Sequence, residues 1–329
     1  MKIGLIIGSF LPLHNGSLTL CKVAETLTEK LIIVIVDTPK DPIKLQLRIQ
    51  WLKKEIPNAT VTHMVVTKNS YTEQQLQIIL TKFSKKFSSS HFHLFSSNPK
   101  LARLAKTLKI KFTILDPSRI AQNIKSNDIL EDPYLNWLDI PVSVRLSLIK
   151  RIVLIGPESV GKSTLATNLK RSFIKYPFLP EYGRPYEVFR ESGPYSEQEF
   201  DDIIAVHGAH RKALLPFSGP IFLEDTDELA TAVWVEMLMG KKITRIEKKI
   251  ELPFLYLLMD TSVPFVKEKT RYFNDKKRVE FFNKIKSKLE RNKAPYTVLT
   301  GAWSAREMKS KETINNILNE KVNWLKIRD

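Results

Sequence analysis

Apolar residues along this chain fall into two alternating patterns. Short unbroken runs, KIGLIIG at the start, KLIIVIVD (30–37), ATVTHMVV (59–66), HFHLFSS (91–97) and IKFTILD (110–116), are bounded by polar or turn residues. They are too short for helices and read as strands buried on both faces. Between them lie stretches such as SLTLCKVAETLTEK (17–30), amphipathic in the manner of a surface helix. This alternation predicts a parallel sheet with covering helices. It pauses in LEDPYLNWLDIPVSVRLSLIK (130–150), rich in proline and turn residues, and restarts with RIVLIG at 151. The boundary is therefore expected near residue 149, giving domains 1–149 and 150–329. The second repeats the style, with LPFSGPIFLEDTD, ELPFLYLLMDT and PYTVLTG as its later strands. The predicted class is α/β, two domains, each with a parallel sheet.

Length agrees with that division, since 329 residues exceed the ~250–300 at which a single core stops growing. No apolar run approaches the ~20 residues a membrane helix needs, and the first residues read as a strand, not a secretory signal. The single cysteine, Cys21, can build neither a disulfide framework nor a cysteine metal site, which fits a reducing cytoplasm. The net charge of +17 raises the question of nucleic acid, yet it is spread evenly: 20 basic against 11 acidic residues in 1–149, and 32 against 24 in 150–329. KEKTRYFNDKKR (267–278) is the one dense basic run. A distributed basic surface suits small anionic ligands such as nucleotides, so the expectation is no nucleic acid and no membrane.

The strongest chemical signal is GPESVGKST, Gly156, Pro157, Glu158, Ser159, Val160, Gly161, Lys162, Ser163 and Thr164, which satisfies G-x-x-x-x-G-K-[ST]. RIVLI leads in as a strand and STLATNLKRSF leads out as a helix. Loop amides and helix N-terminus then converge where the phosphates of ATP would sit, with Lys162 reaching them and Ser163 on Mg2+. IFLEDTD (221–227) is an apolar strand ending in acids, which puts Asp225 and Asp227 at the carboxyl edge of the sheet, where open α/β folds bind ligands. Asp225 is expected as the Mg2+ partner or the base. Glu181 in FLPEYGRPY is the rival base, and Arg184, Arg271 and the lysines around it are candidates to stabilise charge on a transferred phosphoryl group.

These elements, GPESVGKST, EYGR (181–184), EDTD (224–227), the RYFN of the basic run and the preceding LNWLDIPVSVR, resemble the ribosylnicotinamide kinase half of the NadR-type bifunctional proteins of NAD synthesis. Residues 1–149 look like that family's nicotinamide mononucleotide adenylyltransferase half, without its optional N-terminal helix-turn-helix segment. The resemblance implies 5′-phosphorylation of nicotinamide riboside with ATP and Mg2+, within NAD salvage. Nicotinamide mononucleotide is a further small-molecule candidate, and a homo-oligomer is left open. It carries over Lys162 and Ser163 as phosphate and Mg2+ positions, Glu181 and Arg184 from EYGR, and Asp225 and Asp227 from DTD. The family's lid D-G-x-R reads Glu268-Lys269-Thr270-Arg271, without its glycine.

The first half departs further. Of the family's nucleotide-binding G-x-F-x-P-x-H-x-G-H it keeps Gly8, Phe10, Pro12, His14 and Gly16 but has Ser17 for the second histidine. The family's I-S-S-T-x-x-R becomes Ile124 to Leu130, with leucine in the arginine's place, and S-S-E-x-Y-G becomes Ser96 to Leu101 with Asn98 for its acid. A hydroxyl and an apolar chain supply no cation to departing pyrophosphate. The resemblance therefore implies a degenerate, inactive or weak adenylyltransferase. Two alternatives stay open: a fully bifunctional enzyme, and a regulator whose first domain senses NAD or another nucleotide.

Overall fold

In a computed structural model of the chain, which describes residues 2–66, 74, 77–79, 81, 92–173, 177–263 and 273–327, the chain forms two compact α/β units. The first comprises Met1–Leu148 together with Lys321–Asp329. Its strands β1 (Ile3–Gly8), β2 (Lys30–Asp37), β3 (Thr60–Val65), β4 (Phe92–Ser96) and β5 (Lys111–Ile114) lie in the order β3-β2-β1-β4-β5. All neighbours run parallel. Helices α1 (Asn15–Leu27), α2 (Leu45–Glu55), α3 (Pro99–Thr107), α4 (Ser126–Glu131) and α5 (Val142–Leu148) belong to it. β1 is buried along nearly its whole length, as the unbroken apolar run dictates, because crossover helices cover both faces of a parallel sheet. The strand order reverses between β1 and β4, and the turn containing His14 follows β1 at that point. This is where open parallel sheets form their ligand crevice.

The second unit, Ile149–Glu320, has β6 (Lys150–Ile155), β7 (Ile221–Asp225), β8 (Leu255–Met259) and β9 (Tyr296–Leu299) in the parallel order β7-β6-β8-β9. Leu179 adds a parallel bridge beside Glu224 on the outer side of β7. Its helices are α6 (Lys162–Ser172), α7 (Gly183–Phe189), α8 (Glu197–Leu214), α9 (Glu228–Met239), α10 (Thr244–Glu247), α11 (Asp275–Arg291) and α12 (Trp303–Asn319). The two-residue period of the strands sorts the core into two layers. Ile152, Leu154, Leu257 and Met259 face Leu165 and Leu169 of α6 and Ile314 of α12. Val153, Ile155, Tyr256 and Leu258 face Val233 of α9 and Phe281, Ile285 and Leu289 of α11. Burying each such side chain is worth about 1.5–3 kcal/mol, and that is what holds the carboxyl edge of β6 and β7 in place.

One expectation is corrected. The last residues were assigned by sequence to the second domain, yet 321–329 belong to the first unit. Trp324 is buried there, donates its indole N–H to Leu130 O at 3.0 Å and meets Trp51 edge-on at 6.4 Å. Leaving a tryptophan in water costs more than the return of a short tail, so burial decides the tail's place. Trp324→Ala should therefore lower the stability of the first unit by about 3–5 kcal/mol, read from denaturant unfolding. Trp324→Phe, which keeps a ring but loses the donor, should cost less than half as much; equal losses would mean that ring packing is not what anchors the tail.

Candidate active site

The phosphate loop departs from β6 at Gly156 and enters α6 at Gly161, and both glycines are required by their surroundings. A Cβ on Gly156 would lie 2.7 Å from the Met259 carbonyl oxygen. Gly161 has φ 82°, and a Cβ there would sit 1.9 Å from the ring of Trp303. No side chain caps α6, so its first amides and its positive dipole end face the loop's concavity, as an anion site requires. Within that concavity Lys162 is buried and donates to Gly156 O at 3.0 Å and Pro157 O at 2.8 Å. Ser159 adopts φ 57°, and Val160 is buried with its carbonyl oxygen accepting from Arg306 at 3.3 Å. Glu158 accepts from Phe273 N at 3.2 Å, and Thr164 is exposed on the first turn of α6.

Ser163 donates its hydroxyl to Asp225 Oδ2 at 2.7 Å. This joins the first turn of α6 to the end of β7 and sets two hard oxygen donors side by side. That donor set fits Mg2+, which takes one or two protein oxygens and completes its shell with phosphate and water. Thr226 follows with φ 70°, rare for a β-branched residue and the kind of strain that collects at functional turns. Asp227 then caps α9: Oδ1 accepts from Leu229 N at 3.0 Å and Ala230 N at 3.2 Å, and Oδ2 accepts from the Tyr256 hydroxyl.

Glu181, just beyond the Leu179 bridge, accepts from Arg184 Nε at 3.2 Å. Burial raises its carboxyl above the usual range, Lys162 draws it back, and Asp225 raises it further. Lys162, Glu181, Arg184 and Asp227 line one cavity of about 280 Å³, whose far end is apolar, with Phe200, Ile203, Ile204, Trp234 and Leu238. The sequence-predicted candidates Lys162, Ser163, Glu181, Arg184 and Asp225 are thus brought to one place. Arg271 and the rest of Glu268–Arg271 lie outside the described residues.

Sequence reasoning missed the polar layer of the cavity wall. His207 bonds Glu224 Oε1 at 2.8 Å, and Arg211 donates to Glu224 at 2.9 Å and to Glu228 at 2.7 Å, all buried. The available signal was the i,i+4 spacing of His207 and Arg211, which puts both on one face of α8.

In the first unit Gly8 ends β1, Phe10 is buried at φ 51°, and Gly16 packs against the His14 ring. His14 is the N-cap of α1. Its Nδ1 accepts from Ser17 N at 3.3 Å, while Ser17 Oγ accepts from His14 N at 3.1 Å and donates to His14 O at 2.8 Å. Burial, with Arg119 nearby, lowers the His14 imidazole to about 4. Leu130 belongs to α4 and gives its carbonyl to Trp324.

Residues 151–306 match the AAA_28 family, an AAA domain. Over 97% of the chain the sequence is 23% identical to the trifunctional NAD biosynthesis/regulator protein NadR of Escherichia coli (strain K12), covering 84% of that protein. It is 22% identical to the protein of the same name from Salmonella typhimurium (strain LT2), with the same coverage. The fold matches a crystal structure of NadR in complex with NR at a TM-score of 0.72 and 18% identity, over 98% of this chain and 97% of that one. The chain is thus similar to NadR in sequence and in fold along nearly its whole length. A second NadR structure, in complex with NAD and AMP-PNP, matches at a TM-score of 0.68 and 19% identity over the same shares. The similarity to NadR extends through both units, whereas the AAA_28 match lies within the second unit.

Asp227 offers a test of this electrostatics. Burial, then Glu228 and Glu224, raise its carboxyl to about 7, so the folded protein holds a proton that the unfolded chain releases near pH ~4. Stability relative to a neutral isostere therefore falls as pH rises from about 4 to about 7 and levels off above. Asp227→Asn keeps an oxygen for the α9 amides, and its advantage over the wild type should grow by about 2–3 kcal/mol between pH 5 and pH 8. Denaturation midpoints at the two pH values measure this; a pH-independent difference would show that the carboxylate is not the titrating group.

Proposed function

We propose that the second unit phosphorylates nicotinamide riboside at its 5′-hydroxyl with ATP, acting in NAD salvage, and that the first unit is an inactive or weak adenylyltransferase. The observation that carries the kinase assignment is the convergence, around one cavity, of a phosphate loop, the Ser163–Asp225 pair and a carboxylate of raised pKa, Glu181. A nucleoside fits the division of this cavity. Its hydroxylated sugar belongs among Glu181, Arg184 and Asp227, and its flat base among Trp234, Phe200 and Ile204.

Each residue then has a task. The amides of Gly161 to Thr164 and the ammonium of Lys162 bind the donor phosphates; Lys162 exchanges its carbonyl partners for phosphate oxygens and holds charge where it develops. Ser163 and Asp225 would hold Mg2+, which when bound neutralises phosphate charge. Glu181 orients the acceptor hydroxyl and takes its proton, a role that suits a carboxyl whose basicity burial has increased. Arg184 holds Glu181 in place and stands at the cavity mouth as a cation for the transferred group. The walls of the cavity keep water from competing with the hydroxyl.

The adenylyltransferase reading rests on the turn after β1. Adenylyl transfer from ATP to the mononucleotide, with release of pyrophosphate, calls for cations at the leaving phosphates. His14 is neutral at physiological pH with Nδ1 already accepting a hydrogen bond, and the Ser17 hydroxyl closes the cap of its own helix. Neither group supplies the charge.

A product assay with ATP, Mg2+ and nicotinamide riboside should yield the mononucleotide. Lys162→Ala should cut that rate at least ~10²-fold with an unchanged circular-dichroism spectrum, and Glu181→Gln should lower kcat with little change in the KM for ATP. A Lys162→Ala variant retaining more than a tenth of the activity would remove the phosphate-loop assignment.

Nicotinamide mononucleotide with ATP should release pyrophosphate only near background. Ser17→His alone should not restore release, because Leu130 still stands in the arginine's place and residues acting on one charge are non-additive. NAD formation by the wild type at a rate comparable to phosphorylation would establish the bifunctional reading instead.

A further inference from the structure

The acceptor cavity occupies one side of the phosphate loop: Glu158, Ser159 and Lys162 line it, and Gly161 does not. The Gly161 side is covered by the indole of Trp303, close enough that its Cζ3 would lie 1.9 Å from a Cβ on that glycine. Arg306 stands over one face of this ring, its guanidinium carbon 5.7 Å from the centroid. The guanidinium is itself fixed, donating to Gly301 O at 2.9 Å, Ser262 Oγ at 2.9 Å and Val160 O. Yet Trp303 remains 49% exposed. One edge rests on the loop and one face is backed by a rigid cation, which leaves a fixed aromatic surface open beside the phosphate site.

Donor phosphates held by the amides of α6 must have the terminal phosphate toward the acceptor cavity, so the rest of the donor leaves on the other side, where Trp303 stands. We propose that the open face of Trp303 stacks the base of the phosphate-donor nucleotide. The inference rests on the reading of the phosphate loop as the donor site. Stacking uses the π-face that every base has, and a purine offers the larger area. Trp303 thus sets donor affinity, and Arg306 is a positioning residue that braces both ring and loop. It also explains why Gly161 admits no side chain on two counts, backbone conformation and the ring lying on it.

The test compares ATP with inorganic tripolyphosphate, which has the phosphates and no base, binding to the full chain in the presence of Mg2+ by calorimetry. Trp303→Ala should weaken ATP about tenfold or more, the range expected for one lost base stack, and leave tripolyphosphate unchanged. Trp303→Phe should recover most of the ATP affinity, and in the kinase assay Trp303→Ala should raise the KM for ATP while sparing the KM for the riboside. Equal weakening of both ligands would make Trp303 a support of the loop and overturn the proposal, as would unaltered ATP binding. A wild type that binds neither ligand would remove the donor-site reading and this inference with it. If ATP binding depends on Trp303 but no riboside is phosphorylated, the inference stands and the acceptor assignment falls.

Discussion

Arg306 is a buried cation held by the carbonyls of Val160 and Gly301, the Ser262 hydroxyl and the Asp260 carboxylate. Removing a guanidinium from water costs several kcal/mol, and only such full engagement offsets it. Its fork reaches three loops at once: the phosphate loop, the turn after β8 and the turn before α12. A lysine has one point of charge and could not span them. Because the loop's amides bind anions only when their directions are held, every chemical assignment in the second unit depends on this brace. Arg306 also stands over the ring of Trp303, its guanidinium carbon 5.7 Å from the centroid, so one side chain braces both loop and ring.

The other wall of the active site follows the same logic with opposite charges. Glu224, Asp227 and Glu228 crowd together beneath the cavity, and Arg151, Arg211 and His207 partly compensate. Glu224 keeps a depressed pKa through His207, Arg151 and Arg211, despite its burial. Asp227 has no cation in direct contact among the described residues, and burial with Glu228 and Glu224 raises it instead. Glu224 and Asp227, three residues apart, are therefore shifted in opposite directions because their partners differ. With Thr226 at a positive φ between them, this turn is costly to fold, and such cost is what functional turns carry.

The turn after β1 is closed by its own side chains. Serine at position 17 is a sound N3 partner for an N-cap, and the His14–Ser17 pair closes the helix start from within. Gly8 ends β1 just before this turn, and Gly16 lies against the His14 ring. A helix start satisfied by its own side chains has less need of a ligand, the reverse of the uncapped start of α6.

How much of this was legible beforehand depends on the range of the interaction. The strands, the phosphate loop, and Asp225 at the end of its strand are consequences of local pattern: apolar runs, glycine spacing and a lysine at a fixed offset. Glu181 reads as a candidate base from its own segment and again from the resemblance, but nothing in its 19-residue separation from Lys162 brings the two together; the Leu179 bridge to β7 does that. The Glu224–His207–Arg211 layer, the Arg306 brace, Trp303 on Gly161 and the return of Trp324 to the first unit were not legible. Each joins residues far apart in the chain, and a solitary Arg, His or Trp looks the same in sequence whether it ends in solvent or in the core. The sequence by itself determined which segments become strands and where phosphate can bind, since backbone conformation and periodicity are local. Tertiary structure alone decided which charges are buried together, and therefore their pKa values and roles, because desolvation and pairing act through space.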